Sequence, residues 1–296
     1  MLLNMKKIII LVFICFVLST QSIFALDWQN LHRVADAMTL KQAQSAVIEK
    51  PESISGQYIL GLVYLNLRKN KEAADVFSKI INSSKDTFEA KWGLAEVDRR
   101  FHELERAQES LLAIINAHPD FAPALISLAY IKYIEMDFNE AVRLASYVVA
   151  IGQEGVDLSN YVRAMLLVGG AKGMIAHYGG PISKLINGTA VFPSLKRAEK
   201  LQPDSSGVLF GLGSFYLLAP SAVGGDIEKA FFYLEKASKI DPGFSDCFVR
   251  LAQIYKVRGD KDKYETNMAK ALELDPKNEI ALDIKNGICK FICVGK

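Results

Sequence analysis

The sequence predicts an all-α fold, a solenoid of tandem helix–turn–helix repeats closed by a C-terminal capping helix. Three observations predict it. Small residues recur every 34 positions, at Ala73, Ala107 and Ala141 and again at Ala237 and Ala271. Each of the first three follows another small residue by twelve positions: Gly61, Ala95 and Ala129. Prolines close the units, and Pro242 and Pro276 are also 34 apart. A fixed period of this length marks a stacked repeat. The small residues let two antiparallel helices approach, larger ones fill the gaps, and proline ends the second helix.

The elements follow in order. Residues 1–25 read as an export signal, with Lys6 and Lys7 before the apolar run Ile8–Leu18 and a small residue, Ala25, before a cut ahead of Leu26. The run of 11 residues is short for a bilayer; an uncleaved anchor is the alternative. Cys15 lacks the small residues of a lipidation site before it. Residues 26–296 are read as a single repeat domain. A partial repeat covers 27–53, its second helix ending at Pro51, and full repeats cover 54–87, 88–121 and 122–154. A divergent unit fills 155–205, two repeats occupy about 206–244 and 245–278, and 279–296 is expected to be a last helix capping the stack.

Each unit carries a leucine followed by a small residue, as in Leu60-Gly61, Leu94-Ala95, Leu128-Ala129, Leu212-Gly213 and Leu251-Ala252. Tyr64, Tyr216 or Tyr255 often follows three positions on. The pattern resembles the tetratricopeptide repeat. That resemblance implies a right-handed superhelix whose concave face is lined by the first helix of each repeat. Projected at three- and four-residue spacing, the concave stripe holds Tyr58, Leu62 and Leu65; Trp92, Glu96 and Arg99; Ile126, Tyr130 and Tyr133; Phe210 and Leu217; Val249, Gln253 and Lys256. The candidate groove contacts are Tyr58, Leu62, Trp92, Ile126, Tyr130, Tyr133 and Phe210, since aromatic anchors dominate binding surfaces. The alternative is that these rings are core between repeats. Repeat proteins that clamp a chaperone's terminal carboxylate place Lys and Asn on this stripe, where this chain has Tyr, Trp and Ile.

The pattern breaks twice. Met174–Thr189 interrupts the divergent unit, with Gly179, Gly180 and Pro181 forcing a turn. Tyr216 to Ala230 spans 14 residues instead of nine, around a distinctive loop containing Pro220, Gly224, Gly225 and Asp226. Asp226 is expected to cap the helix that follows. A helix ending in Ala-Pro, a Gly-Gly-Asp turn and a helix opening on Glu-Lys-Ala resemble the T component of TRAP-type transporters over about 206–242. That resemblance implies a repeat-built bundle binding a small apolar ligand; a simple extension of the turn is the alternative.

The net charge is +2, and without Lys6 and Lys7 the chain has 33 basic and 33 acidic residues. Neutrality excludes the electrostatic footprint of nucleic acid or of a membrane surface. Cys247, Cys289 and Cys293 remain after cleavage. Either they are small buried apolar groups, or Cys247 bridges to one of the pair, which four-residue spacing puts on one helix face. No zinc set is present, and His32, His102, His118 and His177 are scattered. Gly169–Gly173 lacks the strand and the Lys-Ser/Thr of a phosphate loop and reads as close helix packing. No catalytic constellation, metal site or cofactor is expected. Asn82 and Asn187 fall in glycosylation triplets of a kind common by chance. The reading is a non-enzymatic, exported adaptor for a protein or peptide. The alternatives are a carrier of a small apolar ligand or TRAP accessory protein, and an envelope scaffold.

Overall fold

The computed structural model describes residues 26–84 and 86–294; the expected export signal lies outside the described residues. Fifteen helices, and no strand, make up the described chain. They run as antiparallel pairs: α1 (Trp28–Ala37) and α2 (Leu40–Glu49), α3 (Ile54–Asn66) and α4 (Asn70–Ser83), α5 (Phe88–Arg100) and α6 (Leu104–Ala117), α7 (Ala122–Ile134) and α8 (Phe138–Ile151). The divergent unit pairs α9 (Leu158–Tyr178) with α10 (Thr189–Leu201). Then come α11 (Ser206–Leu218) and α12 (Ile227–Ile240), α13 (Ser245–Val257) and α14 (Lys261–Leu274), and α15 (Glu279–Lys285).

Local chemistry sets these boundaries. Thr39 and Gln42 form a capping box at α2, and Asp226 accepts from the Glu228 and Lys229 amides to start α12, as an N-cap should. The turn inside each regular repeat passes through a left-handed residue: Arg68 (φ 58), His102 (φ 63), Met136 (φ 67) and Gly259 (φ 75). Two backbone bonds hold each one, such as Arg68 N to Leu65 O and Lys69 N to Tyr64 O. This is the Schellman closure of a helix.

Packing follows the small residues. Ala73, Ala107, Ala141, Ala237 and Ala271 are all fully buried. Phe77 of α4 lies between Gly61 and Gly93; a Cβ would fall 2.5 Å from the ring at the first and 2.6 Å at the second. Only glycine admits that ring between α3 and α5.

Three expectations need correction. The capping helix stops at Lys285, because Asn286-Gly287 leads into a left-handed Gly287 (φ 69) with the paired bonds Gly287 N to Ile284 O and Ile288 N to Asp283 O. Past it, Cys289 and Cys293 leave the helix and bond to each other. The bridge from Cys247 does not form: that thiol is free and fully buried. The Met174–Thr189 segment is mostly helical. α9 continues to Tyr178, Gly179 and Gly180 turn the chain, and a turn at Pro181–Ser183 runs through a π-helical stretch, Lys184–Gly188, into α10.

The superhelix winds until its N-terminal repeats meet its middle and C-terminal ones. α1 packs on α9 through His32 and Asn160 (3.1 Å) and on the turn before α9 through Gln29 Nε2 to Gly155 O (2.8 Å). Arg68 makes a bidentate pair with Asp241, Nη2 to Oδ2 at 2.7 Å. One repeat later, His102 meets Asp275 at 2.9 Å. Both pairs span 173 residues, so successive turns on one side engage successive aspartates on the other. Gly243 allows the first contact, since a Cβ there would lie 2.9 Å from Arg68 Cδ.

Candidate ligand chamber

The superhelix curls around a chamber of about 2080 Å3 that is partly open to solvent. Sites for small ligands usually measure roughly 300–1,000 Å3, so this one has room for a long or bulky occupant. Its apolar wall includes Leu62, Leu65, Ile126, Leu166, Phe192 and Phe210. Small residues open the space on two helices: Gly169, Gly170 and Gly173 on α9, and Ser206, Gly207, Gly211 and Ser214 on α11. In the Gly169–Gly173 run, Gly169 and Gly173 pack toward Leu195 and Val191 of α10 as expected, and Gly170 alone departs from that expectation. A Cβ there would meet only the Tyr133 ring, at 3.8 Å.

The candidate groove residues divide. Leu62, Trp92, Ile126, Tyr130, Tyr133 and Phe210 line the chamber, with Leu65, Glu96 and Arg99 from the same stripe. Tyr58 does not. It is fully buried, and its hydroxyl bonds His32 Nε2 at 3.0 Å. Trp92 is 2% exposed and Ile126 1%, so these two brace the wall more than they cover it. Leu217, Val249, Gln253 and Lys256 lie off the chamber; Gln253 instead donates to Ile292 O. Of the distinctive loop, Pro220 reaches the lining while Gly224, Gly225 and Asp226 do not. Helix periodicity marks a face, but the neighbour opposite that face decides whether a side chain meets a cavity or a helix.

The polar part of the wall was not legible as a site in the sequence. Glu96 is completely buried. Its Oε1 accepts from Arg99 Nη2 (2.7 Å) and Arg100 Nε (2.8 Å) and faces Arg163 Nη2 at 3.9 Å. Its Oε2 accepts from Ser127 Oγ at 2.8 Å, and Ser127 accepts from Trp92 Nε1 at 3.1 Å. Burial pushes the Glu96 carboxyl up, but Arg99, Arg100 and Arg163 outweigh it and hold the group well below the usual carboxylate range. Burial, joined by Arg99 and Arg163, lowers Arg100 to about 10 against the attraction of Glu96. The spacing of Glu96 to Arg99 and Arg100 is visible on one helix face. Arg163 arrives from α9 only through the fold.

His102 was read as one of four scattered histidines; the fold gives it two carboxylates. Nδ1 faces Glu279 Oε1 at 2.7 Å while Nε2 faces Asp275. With an acceptor at each nitrogen, the ring is protonated and donates twice. Burial works against the charge, yet the two carboxylates raise the pKa to about 9. A raised pKa stabilises the fold fully below the unfolded value near 6.5, and the effect is lost as pH rises through 9. The expected contribution is about 1–2 kcal/mol after solvent screening. Melting temperature should therefore fall between pH 7 and 10, and His102→Asn, which tolerates the left-handed backbone, should flatten that slope. An unchanged slope in the variant would move the effect elsewhere. His32 behaves oppositely: burial drops its pKa to about 3, so it is a neutral bridge between Tyr58 and Asn160.

The geometry agrees with known folds. Residues 245–278 match the family model of the tetratricopeptide repeat. No sequence among the curated proteins matches the chain. In structure it resembles a chain of the APC/C hetero-tetramer Cut9–Hcn1 (TM-score 0.57, 15% identity, 90% of this chain and 49% of that one). It also resembles human IFIT1, solved as a dimer with m7Gppp-AAAA (0.56, 18%, 84% and 58%). A tetratricopeptide repeat protein from Parabacteroides merdae is similar too (0.52, 12%, 83% and 90%). The chain spans about half the length of the first two. Tetratricopeptide-type folds in general serve protein or peptide interaction and are generally non-enzymatic scaffolds. The chain is an all-α solenoid of the tetratricopeptide type, with a tetratricopeptide repeat at residues 245–278.

Proposed function

We propose that this protein is an exported binding protein that holds its ligand inside the superhelix. One observation carries the reading: N-terminal repeats meet C-terminal ones through Arg68–Asp241 and His102–Asp275 around a partly open chamber of about 2080 Å3. An open groove would suit a long partner lying across it. A chamber walled on several sides suits a bulky, largely apolar molecule or a short chain segment, with much of its surface removed from water. Export is supported by the basic-then-apolar segment at 1–25 and by the Cys289–Cys293 disulfide, a bond that persists in oxidising compartments.

Native mass spectrometry of protein purified from its host tests the reading, with a retained small molecule expected. Gly170→Leu supplies the control. Its side chain would enter the chamber, while the exchange favours the helix by about 0.8 kcal/mol. The expected result is an equal or higher melting temperature with occupancy lowered about tenfold, equivalent to about 1.4 kcal/mol of binding. Full occupancy in the variant would place the ligand elsewhere.

A second reading, a protein adaptor, is favoured by a different observation. Ile182, Leu185 and Ile186 on the segment before α10 are 75%, 68% and 65% exposed. Three adjacent apolar side chains left in water suit a protein contact. Loss of a co-purifying protein in Leu185→Asp, with small-molecule occupancy unchanged, would favour it.

A further inference from the structure

One part of the chamber wall concentrates guanidinium groups. Three guanidinium groups, of Arg99, Arg100 and Arg163, converge on the single oxygen Glu96 Oε1. All four residues line the chamber. Within this cluster a single carboxylate meets three guanidiniums.

Among the described residues, other carboxylates stand near this cluster without pairing with Arg163. Asp36 accepts from Asn66 Nδ2 at 3.0 Å. Asp157 lies off the chamber, accepts from the Asn160 amide and side chain, and forms no ion pair with Arg163 among the described residues. Glu279 shares the single His102 imidazolium with Asp275, and Asp246 lines the chamber further along.

The arginines are unequally occupied. Arg99 spends Nε and Nη2 on Glu96 and stacks over the Tyr130 ring at 4.2 Å. Arg100 reaches back to Leu65 O through Nη1 at 2.6 Å. Arg163 has one hydrogen bond, Nη1 to Asn160 Oδ1 at 3.3 Å, and its side chain is 40% exposed. A guanidinium offers five donors in a fixed fork that matches carboxylate and phosphate oxygens. Leu166 follows Arg163 by three residues on the same helix face, and Ile126 precedes Tyr130 by four. The cationic spot therefore borders the apolar wall.

We infer that the chamber takes an amphipathic anion, whose carboxylate or phosphate docks on Arg163 beside Arg99 and Arg100 while its apolar body lies along the chamber. The inference rests on the enclosed-ligand reading and adds the chemical class of the ligand. A guanidinium in a partly desolvated wall attracts such a group more strongly than an exposed one does. Glu96 fixes the two inner arginines, so these two need little ordering on binding.

Four twelve-carbon probes test it by titration calorimetry on the full mature chain after delipidation: dodecanoate, dodecyl phosphate, dodecanol and dodecyltrimethylammonium. An anionic probe should bind about tenfold or more tightly than dodecanol, the scale of a hydrogen bond to a charged group. Tighter binding of dodecanoate assigns a carboxylate, and tighter binding of dodecyl phosphate assigns a phosphate. Arg163→Gln should erase the anionic margin while keeping dodecanol affinity and melting temperature at parental values. Equal binding of anion and alcohol, a preference for the cation, or an anionic margin surviving in Arg163→Gln would overturn the anion site and leave the enclosed-ligand reading standing. Binding of none of the four would overturn both.

Discussion

Glu96→Gln is expected to destabilise the protein by about 3–5 kcal/mol, the cost of leaving buried charge without its partner. Glu96 is completely buried, and its carboxylate is the acceptor for Arg99 and Arg100. The neutral amide keeps the volume and loses the charge, so two guanidinium groups remain in a desolvated wall beside a third. The measurement is denaturant unfolding of both forms at pH 7. The pH dependence has a definite sign as well. The carboxyl is held well below its ordinary value, so its contribution is whole above about pH 4.5 and disappears only as pH falls through the depressed pKa. The wild type should keep this contribution at pH 5. A variant within about 0.5 kcal/mol of wild type, the usual scale of a neutral surface change, would show that water reaches these arginines and screens them.

Trp92→Ala is expected to cost about 3–5 kcal/mol, as large aromatic truncations in cores do. The ring is 2% exposed. It lies 5.3 Å from the His32 ring and edge-on to Phe121 at 6.0 Å. Its indole N–H starts the chain through Ser127 to Glu96, so truncation also unfastens the acceptor that organises the arginines. Stability and ligand binding should fall together. Tyr130 gives the contrast: it is only half-buried, lines the chamber and carries the Arg99 guanidinium on its face. If Trp92→Ala melted like the parent and lost only ligand, the ring would be a contact surface rather than a brace.

These two residues show how far sequence reasoning reaches. Trp92 and Tyr130 occupy equivalent stripes on successive first helices, and nothing in their spacing distinguishes them. Phe121, His32 and Ser127 wrap Trp92 from three other helices or turns. Tyr58 is further still from its expected place, closed in by His32 and Phe77. The small residue at each helix crossing was legible because its effect is local: Gly61 and Ala73 must admit a neighbouring helix wherever the solenoid goes. The end of α15 was legible too, in Asn286-Gly287, and an eye for that stop would have kept Cys289 and Cys293 off a helix.

The sequence by itself determined the repeat: its 34-residue period, the pairing of helices, and the small residues at which they cross. These follow from contacts within a unit or between neighbours, and they recur because the unit recurs. Tertiary structure alone decided that the solenoid closes, that Arg68 and His102 reach partners 173 residues away, and that Arg163 joins Glu96. The physical reason is that curvature is a sum. Each repeat adds a small rotation to the next, and only the total over the whole chain sets which distant faces meet and what space they enclose.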